Sequence, residues 1–162
     1  MRIINVNKLK FLTIIFSIVL TLFGIVILGT LKNNSDLKNQ TTINLNGETV
    51  KTLKMDINGF YPGKTVDYNI TLNGDATNDY IVSLKFYNDN GGALKKYLNV
   101  KITTNNETLT KPLEDFLQSN SICLGNSVTK INISYTMPIE TGDEAQGASV
   151  TFFVELNAKY VE

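Results

Sequence analysis

The hydrophobic positions divide the chain into two parts with different periods. The first part, Phe11 to Leu31, carries no charge over about twenty positions, which is the length that crosses a bilayer core of about 30 Å. Most of these residues are Leu, Ile, Val or Phe, and the stretch lacks the polar face that a helix of a soluble domain would show. The pattern predicts a transmembrane helix over residues 11–31.

Charges around this segment predict its orientation. Arg2, Lys8 and Lys10 precede it, so residues 1–10 are expected in the cytoplasm and the rest of the chain outside. A cleaved secretory signal has a shorter apolar region and a small-x-small cleavage site. Here the run is longer and has no Ala-x-Ala, which favours an uncleaved signal anchor, with a removed signal peptide and a secreted product as the alternative.

The second part begins after a polar linker, residues 32–42, and its hydrophobic period changes to two. Alternation of this kind predicts strands with one face in a core and the other in water. The inward positions of the four clearest runs are Val66, Tyr68, Ile70 and Leu72; Tyr80, Val82, Leu84 and Phe86; Ile131, Ile133, Tyr135 and Met137; and Val150, Phe152, Val154, Leu156, Ala158 and Tyr160. In the last run Phe153 is the one apolar residue on the outward face.

Weaker alternation occurs at Thr41–Leu45, Thr49–Ile57 and Tyr97–Thr104. A short helix is predicted at Lys111–Gln118, with Thr110 as its cap. Turns are expected at Pro62-Gly63, Asn73-Gly74, Asn88 to Gly92 and Gly125-Asn126. About seven strands without alternating helices predict an all-β domain over residues 43–162, an antiparallel two-sheet sandwich of the jelly-roll or Ig-like kind.

Composition restricts the chemistry of this domain. The sequence contains no histidine, which removes the commonest zinc ligand and every Ser-His or Cys-His nucleophile pair. Its single cysteine, Cys123, cannot form an intrachain disulfide and is expected as a small core residue rather than a nucleophile. After residue 31 there are twelve lysines against fifteen acidic residues, a net charge of −3 that argues against nucleic acid as a partner.

An acidic cluster is the one stretch that suggests a site. Glu140, Asp143 and Glu144 stand between two of the clearest strands, among Pro138 and glycines, which is typical of a solvated loop. Calcium binding at 140–144 is the alternative, since carboxylates are its usual ligands, but the spacing of a calcium loop is missing. No residue is therefore nominated as catalytic, cofactor-binding or metal-binding, and no cofactor is expected.

The C-terminal stretch YTMPIETGDEAQGASVTFFVELNA resembles the signature of the camelysin/TasA-like surface proteins of Firmicutes. The residues that carry the resemblance are Met137, Pro138, Gln146, Gly147 and Ala158. A second stretch, FYPGKTVDYNITLNGDATNDYIVSLKF, looks like the first core hairpin of that family. The resemblance implies an extracellular jelly-roll or Ig-like sandwich. It also implies biofilm-matrix fibres, in which one subunit's N-terminal strand completes the next subunit's sheet, or the metalloprotease activity associated with camelysin.

These observations predict a non-enzymatic cell-surface or matrix protein that acts through contacts with other surface or matrix proteins, including its own copies. Two alternatives remain: a membrane-anchored ligand-binding or sensory accessory domain, and a camelysin-type secreted protease, which the absence of histidine disfavours. Strand donation would use Thr41 to Ile57, the weakest strand region. The simpler expectation is that this region pairs within its own domain as an ordinary edge strand.

Overall fold

The computed structural model describes residues 39–74 and 79–161. The described strands are β1 (Gln40–Asn44), β2 (Thr49–Ile57), β3 (Thr65–Asn73), β4 (Tyr80–Tyr87), β5 (Asn99–Thr104), β6 (Thr108–Pro112), β7 (Ile122–Asn126), β8 (Lys130–Thr136) and β9 (Val150–Tyr160). One α-helix, α1 (Leu113–Gln118), and two 3₁₀ helices, Ala93–Lys96 and Asp143–Ala145, connect them. The predicted transmembrane segment 11–31 lies outside the described residues, and none of the helices within them is long and apolar enough to cross a membrane.

The strands form two sheets with a shared apolar core, so the predicted two-sheet sandwich is confirmed. Sheet A has the order β1-β3-β8-β5-β6, and sheet B has the order β2-β9-β4-β7. Neighbouring strands are antiparallel with one exception among the described pairs, because β1 runs parallel to β3. The expectation of a purely antiparallel sandwich was wrong at this one edge.

The predicted inward positions build the core. On β4, β8 and β9 alternate residues are buried and their neighbours are not, as strict alternation requires. The ring of Phe152 lies between Tyr135 and Phe86, with centroid distances of 5.8 and 6.0 Å. On these three strands Tyr160 is the exception, since it lies at the end of β9 and is exposed, and on β3 the inward Val66 and Tyr68 are half-buried.

Three local predictions need correction. The helix begins at Leu113 rather than Lys111, because Pro112 closes strand β6 and stands in the N-cap position. The expected turn at Gly125-Asn126 is part of β7, where Gly125 takes a positive φ at a bulge opposite β4. Cys123 is exposed on the same strand and is not a core residue.

The N-terminal boundary also differs from the prediction. Strand β1 begins at Gln40, inside the segment predicted as linker 32–42 and ahead of the predicted domain start at 43. Its first residues are polar because they face outward or are half-buried, and only Ile43 and the following Leu45 are buried. The sequence pattern of β1 is weak for this reason.

Candidate functional site

The acidic loop is held by turns, and its three carboxylates are exposed. Met137 extends the β3–β8 ladder by exchanging backbone hydrogen bonds with Gly63 and Lys64, at 2.9 and 3.0 Å. The following 3₁₀ helix, Asp143–Ala145, buries Ala145, and the Gln146 amide donates a hydrogen bond to the Asp143 carboxylate. The predicted loop is confirmed. Within residues 39–74 and 79–161, no three acidic or cysteine side chains lie close enough together to hold a metal ion.

The edge of sheet A formed by β1 is the more informative feature. Its backbone pairs with β3 from Gln40 opposite Asn69 to Asn44 opposite Asn73, and the Leu45 N–H adds a 2.7 Å bond to the Asn73 carbonyl. Ile43 and Leu45 keep 5% and 8% of their surfaces exposed, more than any other buried apolar residue of the described core. The burial that holds β1 to the domain is thus the least complete in the core.

Strand β1 covers only part of its partner. No described strand pairs with Thr65–Tyr68 on the side of β3 where β1 lies. The inward residues of this uncovered half, Val66 and Tyr68, are only half-buried. Partial burial raises the pKa of the Tyr68 phenol, and the negative charge of Asp56 on β2 raises it further. The sandwich is therefore open along this side.

A groove lies at the opposite end of β1. Its volume is about 670 Å³, and its apolar walls are Leu45, Leu72, Tyr80 and Val128. Polar residues at the end of β3 and in the β7–β8 connection complete the lining, together with Asp79 just before β4 and Lys130 at the start of β8. Residues 75–78 lie outside the described part of the chain. Half-buried apolar surface therefore adjoins the N-terminal end of β1, and a groove adjoins its C-terminal end.

The other sheet edges carry features that discourage pairing with another chain. Strand β2 is long but bears charged residues, with Lys54 and Asp56 in an ion pair at 3.1 Å. Strand β6 ends in Pro112, and β7 is bulged. Lysines, prolines and bulges are the usual protection of edge strands. Strand β1 has no charged residue, proline or bulge, so it is the least protected described edge of the sandwich.

The region named from the sequence, Thr41 to Ile57, is divided by the structure into two strands of different sheets. Its first part is β1 on sheet A and its second part is β2 on sheet B, and both pair within their own domain. Strand β2 pairs with β9 over nine residue pairs, whereas β1 pairs with β3 over only five. The half-coverage of β3 could not be predicted from the sequence, because coverage depends on where β1 begins to pair.

Comparisons with known proteins place few limits on the function. No protein-family model matches the chain, and no curated protein matches it. Similar solved structures include a protein named FLHE, with 12% identity over 72% of this chain and all of that one, at a TM-score of 0.43. Two others are PliG, a periplasmic inhibitor of g-type lysozyme, from Aeromonas hydrophila and Salmonella Typhimurium. Both are 14% identical. They cover 75% and 74% of this chain and 98% of their own, at TM-scores of 0.38 and 0.35. At these scores the likeness gives no ground for transferring a partner or an activity.

Proposed function

We propose that this chain is a non-enzymatic protein of the cell exterior that acts through protein–protein contacts at the β1 edge of sheet A. The observation that carries the proposal is the unprotected state of β1 beside the half-covered strand β3. A neighbouring copy would donate its own β1 together with the following Leu45, and the donated Ile43 and Leu45 would occupy the sites that these residues fill within their own domain. Exchange of an identical element between copies needs no new interface chemistry.

The energetics favour exchange over permanent loss of β1. Removing Ile43 and Leu45 from the core would lower the free energy of unfolding by about 1.5–3 kcal/mol for each side chain, and the β1–β3 hydrogen bonds would be lost as well. This is a substantial part of a typical stability of about 5–15 kcal/mol. A chain whose β1 leaves is therefore stable only when another strand fills the same place. The camelysin/TasA resemblance implies the same mode of association.

The absence of histidine from the sequence supports the non-enzymatic part of the proposal. It leaves a camelysin-type protease without its usual zinc ligand. The exposed carboxylates of the acidic loop lack the burial that tunes a general acid.

The test uses a chain beginning at Lys32 and a shorter one beginning at Asn46, which lacks β1. We expect the longer chain to assemble with increasing concentration in light scattering. The shorter one should be destabilised and should bind a peptide of residues 39–45. Ile43→Asp should abolish assembly, whereas Thr42→Asp, at the neighbouring outward position, should leave it intact. A longer chain that stays monomeric at high concentration, with a shorter chain that ignores the peptide, would exclude donation.

A second candidate function is a ligand-binding accessory domain, and the groove beside Leu45 favours it. Apolar walls with a few polar groups are typical of small-molecule sites. Under this alternative the chain beginning at Lys32 remains a monomer, and Val128→Asp abolishes ligand-induced thermal stabilisation in a screen of small molecules. Thr136→Asp, on the outward face of β8 at the other end of sheet A, is the matched control.

A further inference from the structure

The outer face of sheet A is polar but almost uncharged. Along its five strands residues alternate between an inward and an outward side. The outward residues are Asn, Gln, Ser or Thr with four exceptions, which are Asp67, Lys101, Lys130 and Pro112. The outer face of sheet B differs, since it carries the exposed Ile81 and the Lys54–Asp56 ion pair. The composition of the whole chain therefore does not explain the outer face of sheet A.

One row of these outward residues crosses the whole sheet. In register, it runs through Gln40 of β1, Asn69 of β3, Asn132 of β8, Thr103 of β5 and Thr108 of β6. Five strands at a spacing of about 4.8 Å make the row about 19 Å long. Amide and hydroxyl side chains both donate and accept hydrogen bonds. The row therefore suits an extended ligand whose own groups also do both.

Three members of the row line a shallow pocket of about 290 Å³. The polar lining comes from three neighbouring strands and the turn after β5, and it consists of Asn69, Thr71, Thr103, Asn105, Lys130 and Asn132. Thr71 and Lys130 also line the groove beside Leu45, whereas Asn132 and Thr103 do not. The pocket is thus a separate polar site on the central strand of sheet A and its two neighbours.

Hydrogen bonds between different elements hold this lining in place. The Asn132 amide donates to the Asn69 side-chain oxygen at 3.0 Å, which connects β8 to β3. The Asn105 side chain accepts a hydrogen bond from the Thr129 N–H at 3.3 Å and donates one to the Ser127 carbonyl at 3.3 Å, which connects the turn after β5 to the β7–β8 connection. Side chains that are already fixed lose little entropy when a ligand binds.

Lys130 is the one charged side chain that lines the pocket. Within residues 39–74 and 79–161, its ammonium has no carboxylate within ion-pair distance and no hydrogen-bond partner. Its three N–H groups are therefore available to the oxygen atoms of a ligand.

The composition of the face decides between classes of ligand. The centres of protein interfaces are enriched in aromatic residues, Met and Arg, and the outward residues of these five strands include none of them. Lipid contact needs large apolar side chains, and nucleic acid needs a series of cations. The face offers neither, since its two lysines lie beside Asp67. A polymer rich in hydroxyl groups remains, because hydroxyls donate and accept hydrogen bonds as the residues of the row do.

We propose that the outer face of sheet A binds a neutral polysaccharide chain. One sugar ring occupies the pocket, where Asn69, Asn132 and Thr103 bond its hydroxyl groups and the Lys130 ammonium donates to a sugar oxygen. Neighbouring sugars follow the row across the strands. The net charge of −3 after residue 31 disfavours an acidic polymer. This site goes beyond the proposed function, which uses the β1 edge, and shares with it only the location at the cell exterior.

Affinity electrophoresis of the full-length chain tests this inference. The native gels contain dextran, hydroxyethylcellulose or galactomannan, together with a detergent that has no sugar headgroup. We expect at least one of these neutral polysaccharides to retard the chain. Asn132→Ala should weaken the binding about threefold to tenfold, as the loss of a hydrogen bond does. Asn99→Ala is the matched control and should bind like the unchanged chain, because Asn99 is an outward amide of the same face, four residues before Thr103.

Thr103→Ala provides a second test of the pocket and should weaken the binding by a similar factor. None of the three side chains is buried, so the urea midpoints of these variants should stay close to that of the unchanged chain. If no neutral polysaccharide retards the chain, or if Asn99→Ala weakens the binding as much as Asn132→Ala, the inference is wrong. Retardation by polygalacturonate alone that disappears in high salt would indicate ion exchange at the lysines, and it would also overturn the inference.

The inference and the proposed function fail separately. Ile43→Asp should abolish assembly but leave the retardation unchanged, because β1 contributes no residue to the pocket. If the retardation disappears together with assembly in this variant, the site lies between copies and the inference is wrong. A chain that stays monomeric but still binds polysaccharide through Asn132 would exclude strand exchange and confirm the polysaccharide site.

Discussion

Replacement of Phe152 by alanine is the most direct test of the core. The side chain is fully buried on β9, between β2 and β4. Its ring contacts Tyr135 of sheet A edge to face at 5.8 Å and lies 6.0 Å from the stacked ring of Phe86. The residue therefore joins the two sheets. A buried Phe→Ala change costs about 3–5 kcal/mol through lost transfer free energy and the cavity left behind.

Phe153 provides a matched control in the next position of the same strand. It points to the opposite face, is half-buried and stacks on Tyr87 at a centroid distance of 5.8 Å. A cross-strand aromatic pair contributes about 0.2–1 kcal/mol. Phe153→Ala should therefore reduce the free energy of unfolding by about 1 kcal/mol or less, several times less than Phe152→Ala, although the two substitutions are chemically identical.

The assay is urea unfolding of a chain beginning at Lys32, followed by circular dichroism and tyrosine fluorescence. A shift of the midpoint without a change in the slope m reports a change in stability alone. If Phe153→Ala were the more destabilising of the two variants, the register of β9 would be displaced by one residue, which would turn its whole inward set outward. Equal effects would show that β9 is not the central strand that separates a dry face from a wet one.

Three other outcomes are expected. Gly92→Ala should destabilise the domain by about 1–3 kcal/mol, because its Cβ would lie 2.1 Å from the Ser149 carbonyl, whereas Gly142→Ala, with open space around it, should change stability by less than about 0.5 kcal/mol in the same urea titration. Burial raises the pKa of the Tyr135 phenol well above its usual value near 10, so the folded chain keeps a proton that the unfolded chain releases, and stability should fall as the pH rises above about 10. Tyr135→Phe should remove this part of the loss of stability at alkaline pH. It should also raise the free energy of unfolding by about 1 kcal/mol at neutral pH, since the hydroxyl is buried without a hydrogen-bond partner among the described residues. A series of urea titrations from pH 7 to 11 checks both effects. Protease added to intact protoplasts should remove the chain after about Leu31, and protection of the domain would reverse the predicted orientation.

The central strands with strict alternation, β4 and β8, were predictable because one face of each is buried over its whole length. On β4 and β8 every predicted inward residue is buried, since both strands have a neighbour on each side and the other sheet beneath them. Under those conditions hydrophobic periodicity and burial have the same cause. The Pro62-Gly63 turn was predictable for a similar reason, because Pro fixes φ at the second position and Gly accepts the positive φ at the third.

The edges were not predictable in the same way. Strand β6 has one half-buried residue, Leu109, between exposed ones, so its inward face is too short for a periodic signal. In β7 the bulge near Gly125 interrupts the alternation and leaves Cys123 outside. The parallel direction of β1 leaves no trace in its own residues, because alternation is the same in parallel and antiparallel strands. The direction of β1 depends instead on which edge of the sheet the chain reaches first.

The distance between β1 and the predicted membrane segment limits how strand exchange could operate. Only residues 32–39 separate the two, and they reach at most about 26–29 Å. An anchored chain could therefore donate β1 only to a neighbour in the same membrane, because a partner beyond that distance would have to draw the donor strand out of the bilayer. Cleavage after the apolar segment would remove this limit and allow fibres to grow away from the cell. For this fold, processing of the N-terminal segment would thus decide between lateral contacts on the membrane and an extended matrix, with the same β1 edge serving both.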